Sequence, residues 1–184
     1  MIHDTLEPSA WVVRWAPLIP AGGRVLDLAC GYGRHARLLG SMGYCVLACD
    51  RDAAALRLLD GVAGIETMTL DLEGGRPWPF GTTRFSAIVV TNYLHRPFLA
   101  ALPDTLEPGG ILIYETFMAG NERYGKPSNP AFLLHSEELY EVFSGPLEVL
   151  AFEQGYSSVP KPAISQRICA RKSVGSVGGR PQIG

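Results

Sequence analysis

The stretch "RVLDLACGYGRHARLLG", residues 24–40, decides the reading of this chain. An apolar run, Arg24 to Leu28, collapses into a turn bracketed by Gly31 and Gly33, and a helical pattern opens directly behind it. Gly31, Gly33 and Ala36 spell GxGxxA, the spacing at which a backbone approaches a nucleotide between strand and helix. A glycine pair of this kind also occurs as a plain tight turn, so the neighbouring residues must say what lies against it.

Working outward, short apolar runs alternate with helical patterns, the signature of a parallel sheet wound by helices. Strands are expected near Arg24 to Leu28, Cys45 to Asp50, Ile65 to Leu70, Phe85 to Thr91, Gly110 to Phe117, Leu147 to Phe152 and Gln166 to Arg171. Helices are expected near Arg34 to Met42, Asp52 to Leu59 and Phe98 to Leu106, with another in "SEELYEVF" capped by Ser136. Trp11, Trp15 and Leu18 recur at helical spacing and give an N-terminal helix over about residues 7–18. The segment "MAGNERYGKPSNPAFLL" after the fifth strand is polar, punctuated by Gly and Pro, and too long for an ordinary connection. The fold class is therefore α/β, a doubly wound, Rossmann-like sheet with helices on both faces. One domain is expected over residues 1–172, with a ligand half at about 22–91, a second half at about 92–172, and a Gly-rich flexible tail at 173–184.

Composition narrows the function. The chain has 184 residues, 47% hydrophobic and 18% charged, with a net charge of −2. This suits a soluble protein, argues against nucleic acid as the partner, and provides no apolar run near the roughly 18 residues that span a membrane. Asp4, Glu7 and Arg14 interrupt the N-terminal apolar residues, unlike a signal peptide. Cys30, Cys45, Cys49 and Cys169 form no CxxC pair and read as reduced, buried small hydrophobes of a cytoplasmic protein. Nothing has the spacing of a metal site or a P-loop.

Three acids qualify the glycine turn. Asp50 ends the second strand, where it can accept from the hydroxyls of a ribose. Asp27 lies inside the first strand, where a carboxylate would repel a pyrophosphate but suit a cationic ligand such as S-adenosylmethionine. Asp71, in "TLDLEGG", follows the third strand at the C-terminal edge of the sheet and can receive an adenine amino group.

Asp27, Gly31, Gly33, Asp50 and Asp71, in that order on successive strand ends, resemble the class I S-adenosylmethionine-dependent methyltransferases over roughly Trp11 to Arg171. Within them, "VLDLACGYGRHARLL" looks like the small bacterial members grouped with tellurite-resistance-type methyltransferases. Phe85-Ser86 departs from the Phe-Asp or Tyr-Asp that opens the fourth strand in many members. The resemblance implies a seven-stranded sheet whose last strand is antiparallel, and methyl transfer from S-adenosylmethionine that leaves S-adenosylhomocysteine. The implied cofactor set is Asp27, Gly31, Gly33, Asp50, Arg51, Asp71 and Leu72, with Arg14 toward the cofactor carboxylate. A non-catalytic binding module and an NAD(P)- or FAD-binding Rossmann protein remain as alternatives.

On the acceptor side, "TNYLHRP" at the end of the fourth strand makes Asn92, Tyr93 and His95 the catalytic candidates, His95 as a proton acceptor near neutral pH. Glu115, a charge in an apolar strand, is expected either to pair with a base such as Arg96 or to face the acceptor. Asn121, Glu122 and Arg123 mark Met118 to Leu134 as a lid over the acceptor site. His35 and Arg34 read as structural. The small size of the second half points to a small-molecule acceptor.

Overall fold

In the computed structural model, which describes residues 7–174, seven strands form one sheet in the order β3-β2-β1-β4-β5-β7-β6. They are β1 (Arg24–Leu28), β2 (Cys45–Asp50), β3 (Ile65–Thr69), β4 (Phe85–Thr91), β5 (Leu106–Phe117), β6 (Glu148–Ser157) and β7 (Ala163–Arg171). β1 to β5 pair in parallel, and β7 runs antiparallel to both β5 and β6. The Rossmann-like expectation and its antiparallel last strand both stand. The flexible tail expected at 173–184 lies outside the described residues from 175 onward.

Strand alternation sends side chains to two separate cores. On one face Val25, Val46, Ala48, Ala87, Val89, Ile111 and Ile113 pack under α1 (Ala10–Trp15), α2 (Arg34–Ser41) and α3 (Ala53–Leu56). On the other, Leu26, Leu28, Ile88, Val90, Leu112 and Tyr114 meet Leu102 of α4 (Leu102–Thr105) and Leu139 and Phe143 of α5 (Glu138–Phe143). Asp27, two residues after Val25, shares its face and so belongs to the α1–α2 side.

Several boundaries differ from the sequence reading for local reasons. β5 begins at Leu106 instead of Gly110, because "EPGG" is extruded as an irregularity within the ladder: Phe85 pairs with Leu106 and Ala87 with Ile111. The helix expected at Phe98 to Leu106 is a 3-10 stretch, Arg96–Ala101, followed by α4, since Pro103 has no N–H to continue a helix from the preceding turn. Asp52 caps α3 by accepting from Ala54 N and Ala55 N, and the remainder of that expected helix tightens to 3-10 at Arg57–Leu59. Ser136 does not cap α5; Glu137, at φ 60°, occupies the cap without a side-chain hydrogen bond. Of the cysteines, Cys30, Cys49 and Cys169 are buried, but Cys45 is exposed at the mouth of β2. No helix among the described residues is long and apolar enough to cross a membrane.

Candidate functional site

The three acids lie at or near the C-terminal ends of the adjacent strands β1, β2 and β3, on the edge of the sheet that carries the glycine turn. The chain leaves β1 through Ala29 (φ 55°), Gly31 (φ 55°) and Gly33 (φ 75°), a left-handed sequence that aims the turn at the start of α2. Gly33 is required twice over: its φ lies in the left-handed region, and a Cβ there would sit 2.5 Å from the buried Leu59 side chain. Asp50 ties the turn down, Oδ2 accepting from Gly31 N at 2.8 Å and Oδ1 from Asp52 N at 2.9 Å. Each of these oxygens keeps a second lone pair for a ligand.

Asp27 is 1% exposed and its Oδ2 has no hydrogen-bond partner among the described residues. Burial pushes its carboxyl up to about 7, against the Ala36 amide and the Arg34 guanidinium, which favour the charge. Asp71 accepts from Glu73 N at 2.9 Å and opens onto a cavity of about 320 Å³ lined by Leu70, Leu72, Arg76, Trp78 and Phe98. The chain from Asp71 to Phe80 carries no helix; Trp78 fixes it by donating to Thr105 Oγ1 at 2.9 Å and by edge contacts with Phe80 and Phe98.

The turn after β4 forms the other wall. Asn92 sits at φ 55° with its N–H on Glu115 O, so its backbone shapes the turn. Tyr93 is held at its backbone, its carbonyl accepting from the buried Tyr114 hydroxyl at 2.8 Å, and Glu73 lies near enough to act on its own hydroxyl. Burial, then Glu73, raise the Tyr93 hydroxyl above the ordinary range, which keeps it a proton donor. His95 lies edge-on to Phe98, with ring centroids 4.8 Å apart, beside a hollow of about 10 Å³ shared with Leu28, Leu72 and Tyr93. Arg51, just past β2, is close enough to act on the Tyr93 hydroxyl.

Other sequence candidates take up structural partners. Glu115 does not pair with Arg96: strand alternation turns it, with Ile111 and Ile113, to the α1 face, where its carboxylate accepts from Ser9 Oγ at 2.9 Å and meets Arg167 at 3.6 Å, whereas Arg96 lies with α5 on the other face. Arg96 instead joins Glu138 through two bonds of 2.7 and 2.9 Å and donates to Ala131 O and Leu133 O. Arg14 is placed against Glu153 at 3.2 Å and over the Trp15 ring at 4.8 Å, on the β6 side of the sheet. Asn121 is buried and internal to its loop, accepting from Ile164 N and donating to Pro127 O. Glu122 accepts from Gly120 N, and Arg123 is exposed. His35, read as structural, is buried and pushed down to about 3 by burial and by Arg34. It accepts from Ser9 N on Nε2 and faces Thr91 Oγ1 with Nδ1, fastening α1 to the ends of β4 and α2. The residue that sequence reasoning missed is Glu73, whose only signal was its place two residues after Asp71.

Comparison with known proteins bears on the domain and the fold. Residues 25–110 match the family model described as "Methyltransferase domain". A curated relative, tRNA U34 carboxymethyltransferase of Methylococcus capsulatus, is 35% identical over 119 residues, which are 58% of this chain and 35% of the relative. Among solved structures, TehB from Haemophilus influenzae superposes with a TM-score of 0.75 at 21% identity, over 90% of this chain and 63% of that one. A TehB-like S-adenosylmethionine-dependent methyltransferase from Corynebacterium glutamicum gives 0.63 at 21%, over 89% and 87%. The chain thus spans about a third of the curated relative's length and less than two-thirds of the Haemophilus protein's. The family match and the fold imply S-adenosylmethionine as cofactor, and the residues fit it: a buried carboxyl oxygen without a partner for a cationic ligand, spare lone pairs on Asp50, and a cavity beside Asp71. Residues 25–110 thus match a methyltransferase domain, and the chain has the fold of the solved S-adenosylmethionine-dependent methyltransferases it superposes on.

Proposed function

We propose that this chain transfers a methyl group from S-adenosylmethionine to a small-molecule acceptor in the cytoplasm. The observation that carries the proposal is the glycine turn held by Asp50 beside a buried Asp27 whose carboxyl oxygen is unpartnered, with Asp71 past the end of the neighbouring β3 at the same sheet edge. A pyrophosphate would be repelled by that set, whereas a ligand with a sulfonium and an ammonium group is drawn to it. When bound, the cofactor supplies an already activated methyl group, so alignment can provide much of the acceleration.

In this reading Asp50 accepts from the ribose hydroxyls while holding Gly31 in place. Asp71 and Leu72 take the adenine at the mouth of the Trp78 cavity, and Asp27 balances the positive end. Asn92 sets the backbone of the acceptor turn and Tyr93 donates a hydrogen bond from a hydroxyl that stays protonated. His95 receives the proton released by the acceptor. The excursion from Met118 to Leu134, pinned at its base by the Met118–Leu134 bridge and by Arg96, serves as the lid that excludes water.

Calorimetry tests the cofactor half. S-adenosylhomocysteine should bind in the micromolar range, and Asp50→Ala should weaken it at least tenfold. Binding of NADH or FAD in its place refutes the assignment, and cofactor binding without turnover over a broad acceptor panel leaves a nucleotide-binding module. Hydrogen exchange tests the lid: added S-adenosylhomocysteine and acceptor should protect residues 118–134 as well as the glycine turn.

A further inference from the structure

The chain contains 18 acidic residues, yet two adjoining stretches have none: residues 123–136 of the excursion and residues 154–166 around the β6–β7 hairpin. Both lie at the same edge of the sheet as the glycine turn. β5 and β6 end there and β7 begins there, since Phe117 pairs with Ser165 and Ser157 with Ala163. The stretches are joined directly: Met118 N donates to Ile164 O, and Asn121 Oδ1 accepts from Ile164 N. At the junction Tyr124 and Tyr156 stand with ring centroids 5.2 Å apart and planes tilted by 42°. They are 47% and 58% exposed. Arg123 and Lys126 flank Tyr124 in sequence and Lys161 lies in the hairpin that follows Tyr156; all three are exposed, and the nearest acid in sequence, Glu122, is engaged by Gly120 N.

Two paired, exposed tyrosine rings on two acid-free stretches that also carry three exposed cations, inside a chain of net charge −2, are not a solvated surface of average composition. They offer a π face for a flat ring together with positive charge for an anion. From this arrangement we infer that the Tyr124–Tyr156 pair, with Arg123, Lys126 and Lys161, is a recognition platform for the acceptor, which is a free small molecule carrying an aromatic ring and a carboxylate or phosphate. The inference rests on the methyltransferase reading above and specifies its acceptor. Length agrees with it: β7 and β6 lie two and three strands from β4, about 10–14 Å at the spacing of neighbouring strands. An acceptor of roughly nucleotide size therefore reaches from the platform to the turn at Asn92–His95. A polymeric nucleic acid shares the chemistry but fits less well, because binders of that kind neutralise about six to ten phosphates, and three cations on an acidic chain fall short.

The test is equilibrium binding of phenyl phosphate to the full chain, with and without saturating S-adenosylhomocysteine, beside benzyl alcohol as the neutral ring and a 12-residue oligouridylate. Phenyl phosphate should bind saturably, at least tenfold more tightly than benzyl alcohol. Tyr124→Ala/Tyr156→Ala and, separately, Lys126→Ala/Lys161→Ala should each weaken it fivefold or more while S-adenosylhomocysteine affinity and thermal midpoint hold. Equal affinity for the neutral and charged rings, or no effect of either double variant, overturns the platform. An oligouridylate affinity more than a hundredfold above that of phenyl phosphate overturns the small-molecule assignment. Loss of S-adenosylhomocysteine binding in the parent protein, with phenyl phosphate binding retained, refutes the cofactor reading and not the platform.

Discussion

Replacing Asp27 by Asn should separate what this residue does for the fold from what it does for a ligand. Burial lifts the carboxyl from its ordinary value of 3.8 to about 7. At about 1.4 kcal/mol per pH unit, holding the ionised form in the folded chain costs at most about 4 kcal/mol. The sign follows from a folded value above the unfolded one. The contribution to stability is complete below about pH 4, declines as pH rises, and is lost once pH passes 7. The amide cannot titrate, so Asp27→Asn removes that decline, while its buried N–H groups add a cost that does not depend on pH. The diagnostic quantity is thus the stability difference between variant and parent at pH 8 minus that at pH 4. It should favour the variant by about 2–4 kcal/mol, read by urea denaturation at each pH without ligand. His35 titrates in the same window but is present in both proteins and cancels. Binding should move the other way, with S-adenosylhomocysteine affinity falling at least tenfold at pH 8. A difference that does not change with pH would show that Asp27 is not held against its charge, and the electrostatic argument for a cationic ligand would fail with it.

Gly33→Ala places a methyl group against Leu59 at a φ of 75°, and should cost about 2–3 kcal/mol and weaken cofactor binding, measurable by thermal denaturation and calorimetry. Arg96→Met strips the half-buried Glu138 of its bidentate partner and two carbonyls of their donor. A loss of about 2 kcal/mol, or roughly 4–8 °C in midpoint, is expected, with faster hydrogen exchange at residues 131–134. His35, held down to about 3 by burial and Arg34, contributes stability that is present above the unfolded value and lost as pH falls below it toward 3. Relative to His35→Gln, the parent should therefore lose about 2 kcal/mol between pH 7 and pH 5, seen in paired urea titrations.

The sequence by itself determined the sheet and the position of the glycine turn and its neighbouring acids at one edge of it, because both are written in short-range patterns. Apolar runs of strand length, glycines at fixed offsets and acids one residue from a strand end are local features, and the topology of a right-handed parallel sheet carries those ends to one edge. Asp27, Asp50 and Asp71 were legible for that reason. Local pattern failed where proline or glycine admits two outcomes: "EPGG" reads as a turn but is extruded from a continuing ladder, and Pro103 divides an expected helix.

Pairings between distant residues were decided only by the tertiary structure. Nothing near Glu115 in sequence announces Arg167, which is brought alongside by an antiparallel β7 inserted between β5 and β6. Arg96 could not be assigned to Glu138, nor Arg14 to Glu153, without knowing which elements pack together. Glu73 and the Tyr124–Tyr156 pair are of the same kind. Each depends on segments distant in sequence meeting, and a long side chain can reach several partners, among which only the packed fold chooses.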